Sequence, residues 1–378
     1  MERDVKQFMS KIKAFLKRKN VTLSLRRYGI DALSAMAQGL FCTLLVGTIL
    51  NTLGQQLNIG FLNEAIVTIK DATGANQISY TIGGLASALV GPGIAVAIGF
   101  ALQAPPLVLF SLIIVGFAAN AMGGAGGPLA VYVIAILACE SGKLVSKETK
   151  VDILVTPIFT ILVGVGASSV IAGPIGAAAS AVGDFVKWAT VLQPFWMGIA
   201  VSVVIGIALT LPISSAAICA ALGLTGLAGG AAVAGCCAQM VGFAVMSFRE
   251  NRWGGLVAQG IGTSMLQMPN IVKNPRVWIP PTLASAITGP LATCLFKLEM
   301  NGSPVSSGMG TCGLVGQIGV YTGWVTDVAN GTKAAITAMD WIGVVLICFL
   351  LPAILSLFFC NLLRKIGWIR ENDLKLEL

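Results

Sequence analysis

The stretch ATGANQISYTIGGLASALVGPGIAVAIGFALQAPPLVLFSLIIVGFAANAMGGAGGPLAVYVIAILAC, residues 72–139, contains no Asp, Glu, Lys or Arg. A helix needs about 20 apolar residues to cross a bilayer, so this stretch has room for several membrane segments. Trp188–Phe248 is equally free of charge. Shorter clean runs are Ile153–Gly183, Trp253–Val272, Val277–Phe296, Met300–Thr326 and Trp341–Leu363, and a first run, Ala32–Glu64, precedes them all. Divided by about 20 residues per crossing, these runs predict an all-α polytopic membrane protein with about ten membrane segments, some of them incomplete. The runs do not alternate with a period of two, which speaks against a β-barrel.

Composition agrees. Of 378 residues 56% are hydrophobic and 11% charged, against roughly 25% charged in a soluble domain. The chain has no His, which excludes His-ligated metal or haem, Ser-His-Asp and Cys-His catalysis, and a phosphohistidine carried by this chain. Its nine Cys residues lie mostly inside apolar runs, without CxxC spacing, and read as small buried apolar groups. No cofactor and no metal site is expected.

The net charge of +8 is concentrated at the ends. Nine of the 24 basic residues precede Tyr28, and Arg364, Lys365, Arg370 and Lys375 follow the last apolar run. By the positive-inside rule this places both termini in the cytoplasm of a multi-pass protein; it is no nucleic-acid signal. Val5, Phe8, Met9, Ile12, Phe15 and Leu16 recur at helical spacing opposite lysines, as in an amphipathic helix on the inner membrane surface. No cleavable signal peptide is expected. The expected division is a basic amphipathic helix at 1–27, a transmembrane domain at 28–365 and a cytoplasmic tail at 366–378.

Within the runs, Gly and Pro mark breaks. The first span is expected at Asp31–Thr52, and Phe61–Lys70 as a short interfacial helix. Interruptions are expected at Gly91-Pro92-Gly93, at Pro105-Pro106, across Ala118–Pro128, at Pro212–Ser215 and at Ala228–Gly230. The segment Glu140–Asp152, with Lys143, Lys147 and Lys150, reads as a loop. Irregular backbone is tolerated at membrane depth only against protein or a water-filled cavity, and broken helices there expose polar backbone to a solute. Trp253–Val272, flanked by basic residues at both ends, reads as a re-entrant hairpin. Met300–Cys312 reads as a second Gly-interrupted tip, leading into a helix that carries Gln317. The tripeptides Ala125–Gly127 and Ala228–Gly230 hint at an internal repeat.

Acidic residues near the runs (Asp31, Glu64, Glu140, Asp184, Glu299) sit at their ends, whereas ion-coupled carriers usually place a carboxylate at depth. Neutral polar groups remain. Amides both donate and accept, which suits hydroxyl-rich solutes, although they also join helix to helix. The candidate solute-binding residues are Asn120, Gln239, Gln267, Asn270, Asn301, Ser306, Ser307, Thr311 and Gln317. No nucleophile–base pair can be assembled, so no catalytic residue is expected.

Taken together, the Gly-Gly-Pro break at 126–128, the stretch from Thr156-Pro-Ile-Phe159 to Gly173-Pro-Ile-Gly176, the segment Gln259–Asn270 and Asn301-Gly-Ser-Pro304 give the chain a known appearance. It resembles the membrane-embedded IIC components of bacterial sugar phosphotransferase systems, and most of all the stand-alone IIC-like family that includes toxin-regulator membrane proteins. The resemblance implies an EIIC-like fold and a homodimeric permease in the bacterial plasma membrane. Its solute would be a sugar or polyol, phosphorylated by a phosphocysteine on a separate IIB protein, itself served by IIA. Better-known IIC proteins carry an Ile-Thr-Glu-type motif at the substrate hairpin; here the corresponding stretches read Gly-Thr-Ser-Met and Asn-Gly-Ser-Pro. A sensor on the same scaffold and an ion-coupled carrier of a small organic anion are the alternatives.

Overall fold

A computed structural model describes residues 13–22, 24, 26–56, 59–70 and 77–376. Helices dominate it. Among the described residues the strands are one antiparallel hairpin, Val67–Lys70 with Gln77–Tyr80. Of the expected N-terminal helix, Val5, Phe8, Met9 and Ile12 lie outside the described residues; residues 13–18 are helical, with Phe15 and Leu16 half-buried and Lys17 and Arg18 exposed.

Five helical stretches are long and apolar enough to cross a bilayer: Arg27–Gln55, Pro106–Val145, Asp152–Ala189, Gly226–Met246 and Ala338–Ile366. The pair Ile82–Ala88 and Val90–Ala101, bent by 57°, adds a sixth candidate. One of the five is not a single rod. In a straight helix Val108 and Gly142 would lie about 50 Å apart, yet a Cβ on Gly142 would sit 3.0 Å from the Val108 side chain. The chain therefore folds back at the 3-10 turn Gly124–Gly126, where Gly124 adopts φ +52°. Pro106–Gly123 and Gly127–Val145 are two antiparallel helices.

Several breaks fall where the sequence puts them. Pro105 and Pro106 start a helix, Thr210 ends one before Pro212, and a new helix begins at Ser215, capped by the Ser214 hydroxyl. Others move. The bend expected at Gly91–Gly93 occurs at Leu89. Pro92 then falls in the first helical turn, where its missing N–H has no partner to lose. Ala228–Gly230 lies inside the helix Gly226–Met246, not at a break. The turn comes earlier, at positive-φ Gly223. Ala125–Gly127 and Ala228–Gly230 thus play different structural roles.

Two expectations fail. Phe61–Lys70 is a helix only over Gly60–Asn63, and Val67–Lys70 is a strand. The β-branched run Ile66–Ile69 packs better on a pleated pair than on a helix face. Glu140–Val145 is not loop but the last turns of the helix Gly127–Val145. Lys143 is 2% exposed there and pairs with Glu140 at 2.7 Å one turn earlier.

The chain divides into two compact units, residues 1–40 with 89–176, and residues 41–88 with 177–378. In the first, the helix Val90–Ala101 packs on Pro106–Gly123 through facing glycines: a Cβ on either Gly91 or Gly116 would overlap the other's carbonyl oxygen. In the second, Gly226–Met246 is the axis, and 94% of its apolar window is buried. A Cβ at Gly230 would overlap the Leu298 carbonyl oxygen, and one at Gly235 the Ser202 carbonyl oxygen. Small residues let backbones approach this closely. The bent segment Ala258–Lys273 is divided by an extended Thr263, and neither piece reaches the about 20 residues of a crossing. The tip Met300–Cys312 is tied to the axis by paired backbone bonds between Gly226 and Met300, each 3.0 Å.

Alanine normally stabilises a helix interior by about 0.5–1 kcal/mol over glycine. Gly230→Ala is expected to do the opposite and destabilise by about 1–3 kcal/mol, as overpacking does, because the obstructing atom is backbone. Gly254→Ala, whose Cβ meets nothing within 4 Å, is expected to be neutral or stabilising. Thermal unfolding of the two variants in detergent checks this.

Candidate functional site

Eight of the nine polar residues singled out in the sequence lie in the second unit. Asn120 belongs to the first, beside Gly127 at the hairpin turn, where a Cβ on Gly127 would touch its side-chain oxygen at 2.5 Å. The eight form three arrangements, each set by the axis helix or by a broken segment.

The first is a closed polar joint. Gln239, fully buried on the axis helix, accepts from Trp278 Nε1 at 3.0 Å and from Thr210 Oγ1 at 3.4 Å, and donates to Thr282 Oγ1 at 3.3 Å. Thr210 also shares a 2.8 Å bond with Ser264. Gln239 thereby joins segments far apart in sequence, and its hydrogen-bonding capacity is largely used.

The second is an amide relay. Gln259 Nε2 donates to Ser247 Oγ at 2.9 Å, Gln267 Nε2 to Gln259 Oε1 at 2.8 Å, and Asn270 Nδ2 to Gln267 Oε1 at 2.8 Å. The relay ends on the chain after the last helix: Gln267 also donates to Leu374 O at 3.1 Å and Asn270 to Lys375 O at 2.9 Å. Asn251 and Asn274 bind the same segment. These two were missed in the sequence because they sit in charged stretches between apolar runs.

The third surrounds the tip. Asn301 Oδ1 accepts from Gly226 N at 3.1 Å, while its amide donates to Asp327 at 2.8 Å and to Glu299 at 3.2 Å. Ser307 donates to Leu224 O at 2.7 Å. Ser306 is buried against Gly319, and Thr311 donates to Met240 Sδ at 3.6 Å. Gln317 differs from all of these. Its Nε2 meets only the Cys237 sulfur, at 3.1 Å, and its buried Oε1 has no hydrogen-bond partner among the described residues.

The first unit holds a polar cavity of about 380 Å³, lined by Arg18, Lys19, Asn20, Gln103, Pro105, Lys143, Ser146, Lys147 and Glu148. Helix ends converge there, and Asn20, Gln103 and Lys147 each have positive φ. The carbonyls at these helix ends carry the negative ends of helix dipoles, and cations meet them. Lys143 donates to Asn20 O at 3.0 Å and Leu102 O at 3.2 Å, Arg27 to Leu102 O at 2.6 Å, and Lys19 to Ser146 O. Lys19 and Arg18 both pair with Glu148, and the Lys19 contact above all holds the Glu148 carboxyl below its ordinary range.

A family model described as phosphotransferase system, EIIC, matches residues 30–376. The chain belongs to the phosphotransferase system EIIC family. Its apolar helices and this membership make it a multi-pass membrane protein and a component of phosphotransferase transport. Neither the curated proteins nor the solved structures contain a match. In this EIIC chain the buried polar groups of the broken segments are neutral amides and hydroxyls, and most already have hydrogen-bond partners.

A carboxyl with a depressed folded-state pKa stabilises above its unfolded value, about 4.3 for Glu, and loses that contribution as pH falls through the folded value. The protection factors of the residue 13–20 amides, that is their exchange rates relative to the intrinsic rate at each pH, are therefore expected to stay constant from neutral pH down to that range and to drop below it. Glu148→Gln should show the lowered protection already at neutral pH.

Proposed function

We propose that this EIIC protein is a permease for a small polar solute, a sugar or polyol. It works as a homodimer in the bacterial plasma membrane with both termini cytoplasmic, and a separate IIB partner served by IIA phosphorylates the solute. Residues 28–365 form the membrane domain, flanked by the basic segment 1–27 and the tail 366–378. The solute contacts are drawn from Gln267, Asn270, Asn301, Ser306, Ser307, Thr311 and Gln317 on the two broken segments.

The observation that carries this reading is the Gln317 side chain. A buried amide oxygen left without a partner costs about 1–3 kcal/mol, and its NH2 rests on a weak sulfur acceptor. A solute hydroxyl satisfies such a group, because it can donate to Oε1 and accept from Nε2. The helix carrying Gln317 starts after the left-handed residues Gly313 and Leu314, so the amide stands beside irregular backbone, where transporters of this kind meet their solutes. Gln239, by contrast, acts as a helix joint.

Thermal stability of the purified protein against sugars and polyols identifies the solute. At 100 times its dissociation constant a ligand stabilises by about 2.7 kcal/mol. Gln317→Leu is expected to abolish that shift while leaving the ligand-free protein as stable or slightly more so, since the variant removes an unpartnered polar atom. Gln239→Leu should instead destabilise the ligand-free protein by about 1–3 kcal/mol, stranding Trp278 Nε1. An undiminished solute shift in Gln317→Leu would show the placement to be wrong.

A further inference from the structure

The segment Trp368–Leu376 has no regular secondary structure, yet it is held like a bound peptide. Asn251 makes a two-point contact with its backbone: Nδ2 donates to Leu374 O at 2.8 Å, and Oδ1 accepts from Leu376 N at 2.8 Å. That is the pattern one strand presents to the next, supplied here by a side chain. Gln267 adds a second donor to Leu374 O, and Asn270 takes Lys375 O. Leu374 is fully buried, Lys375 exposed and Leu376 buried, so two leucines point inward just where the chain leaves a turn over residues 371–374, closed by Lys375 N donating to Asn372 O at 3.1 Å. Upstream, Asn274 donates to Trp368 O and to Asp373, and the Arg276 guanidinium lies over the Trp368 ring at 5.1 Å.

We propose that Asn251, Gln267 and Asn270 form a peptide-binding groove for a Leu-x-Leu sequence that follows a turn, and that the chain's own Leu374–Leu376 occupies it as an exchangeable strap. Side-chain amides recognise the peptide backbone whatever its sequence, and the two inward leucines supply selectivity. Its other anchors lie at its start, where Trp368 N donates to Leu363 O at 2.9 Å and Ile369 is buried. Among the described residues it forms no helix and pairs with no strand, so opening Leu374–Leu376 costs far less than unfolding the axis helix. Release leaves Gln267 Nε2 and Asn270 Nδ2 each with one bond fewer. If those amides meet solute, a consequence that rests on the function proposed above, the strap controls the bent segment that carries them.

The test inserts a protease site between Gly367 and Trp368 and cuts the folded, purified protein in detergent. After the released segment is washed away, a fluorescent peptide of residues 368–378 is added and its anisotropy followed. The cut protein should bind the peptide at least tenfold more tightly than the uncut protein. Asn251→Leu in the cut protein should weaken binding at least tenfold, as should replacing both Leu374 and Leu376 by Ser in the peptide. Equal binding to cut and uncut protein, no binding to a cut protein that stays monodisperse, or indifference to the Ser replacements would overturn the proposal. Should cutting cause aggregation, hydrogen exchange on the intact chain decides: the Leu376 amide must exchange at least a hundredfold faster than the interior amides of Gly226–Met246, and equal protection overturns exchangeability. The peptide readout involves no solute, so a failed groove leaves the Gln317 result standing, and a failed solute assignment leaves peptide binding intact.

Discussion

The second unit depends on one constraint: a helix surrounded by protein must present almost no side-chain bulk where other backbones approach. Gly226–Met246 meets it with Gly, Ala and Cys, and it takes the Leu298 and Ser202 carbonyls against Gly230 and Gly235. Because the axis is this thin, the irregular tip Met300–Cys312 reaches it and pairs backbone to backbone at Gly226. Unpaired peptide groups at membrane depth cost several kcal/mol each. The glycine face of the axis is therefore what permits the broken segments to exist, and the broken segments hold several of the unit's buried polar groups.

Those polar groups divide by how completely they are used. Gln239 and Asn301 are committed to helix and tip geometry, with partners on most of their capacity. Gln259, Gln267 and Asn270 form a directional chain in which each carbonyl accepts from the next amide, and such chains polarise and strengthen one another. Gln317 stands apart with an acceptor that no described residue fills. In a site built of neutral groups, unused capacity is a better guide to ligand contact than residue type.

The first unit solves a different problem with charge. Helix ends leave carbonyls unpartnered, and several such ends meet near Asn20, Leu102 and Ser146. Lys143, Arg27 and Lys19 supply the donors, and Glu140 and Glu148 balance them. The buried Lys143 is affordable there because three acceptors replace its water, Glu140 included.

How much of this was legible differs from element to element. The absence of charge from long runs and the lack of His determined an all-α membrane protein without His chemistry, since burying unpaired charge in lipid is prohibitive. Pro105-Pro106 and Pro212 gave their breaks directly, because proline lacks the N–H a continuing helix needs. Glycine was ambiguous. Gly124 makes a turn, while Gly230 admits a neighbouring backbone to an unbroken helix, and the two look alike in a Gly-rich sequence. Likewise, an intramembrane amide announces a hydrogen bond but not its partner. Whether Gln239, Gln267 or Gln317 is spent or free depends on groups 39, 107 and 80 positions away. Local sequence determined which segments are apolar enough to cross a membrane and the breaks at Pro105-Pro106 and Pro212; only the tertiary structure decided which polar groups were left with capacity to spare, because that is set by contacts between residues distant in the chain.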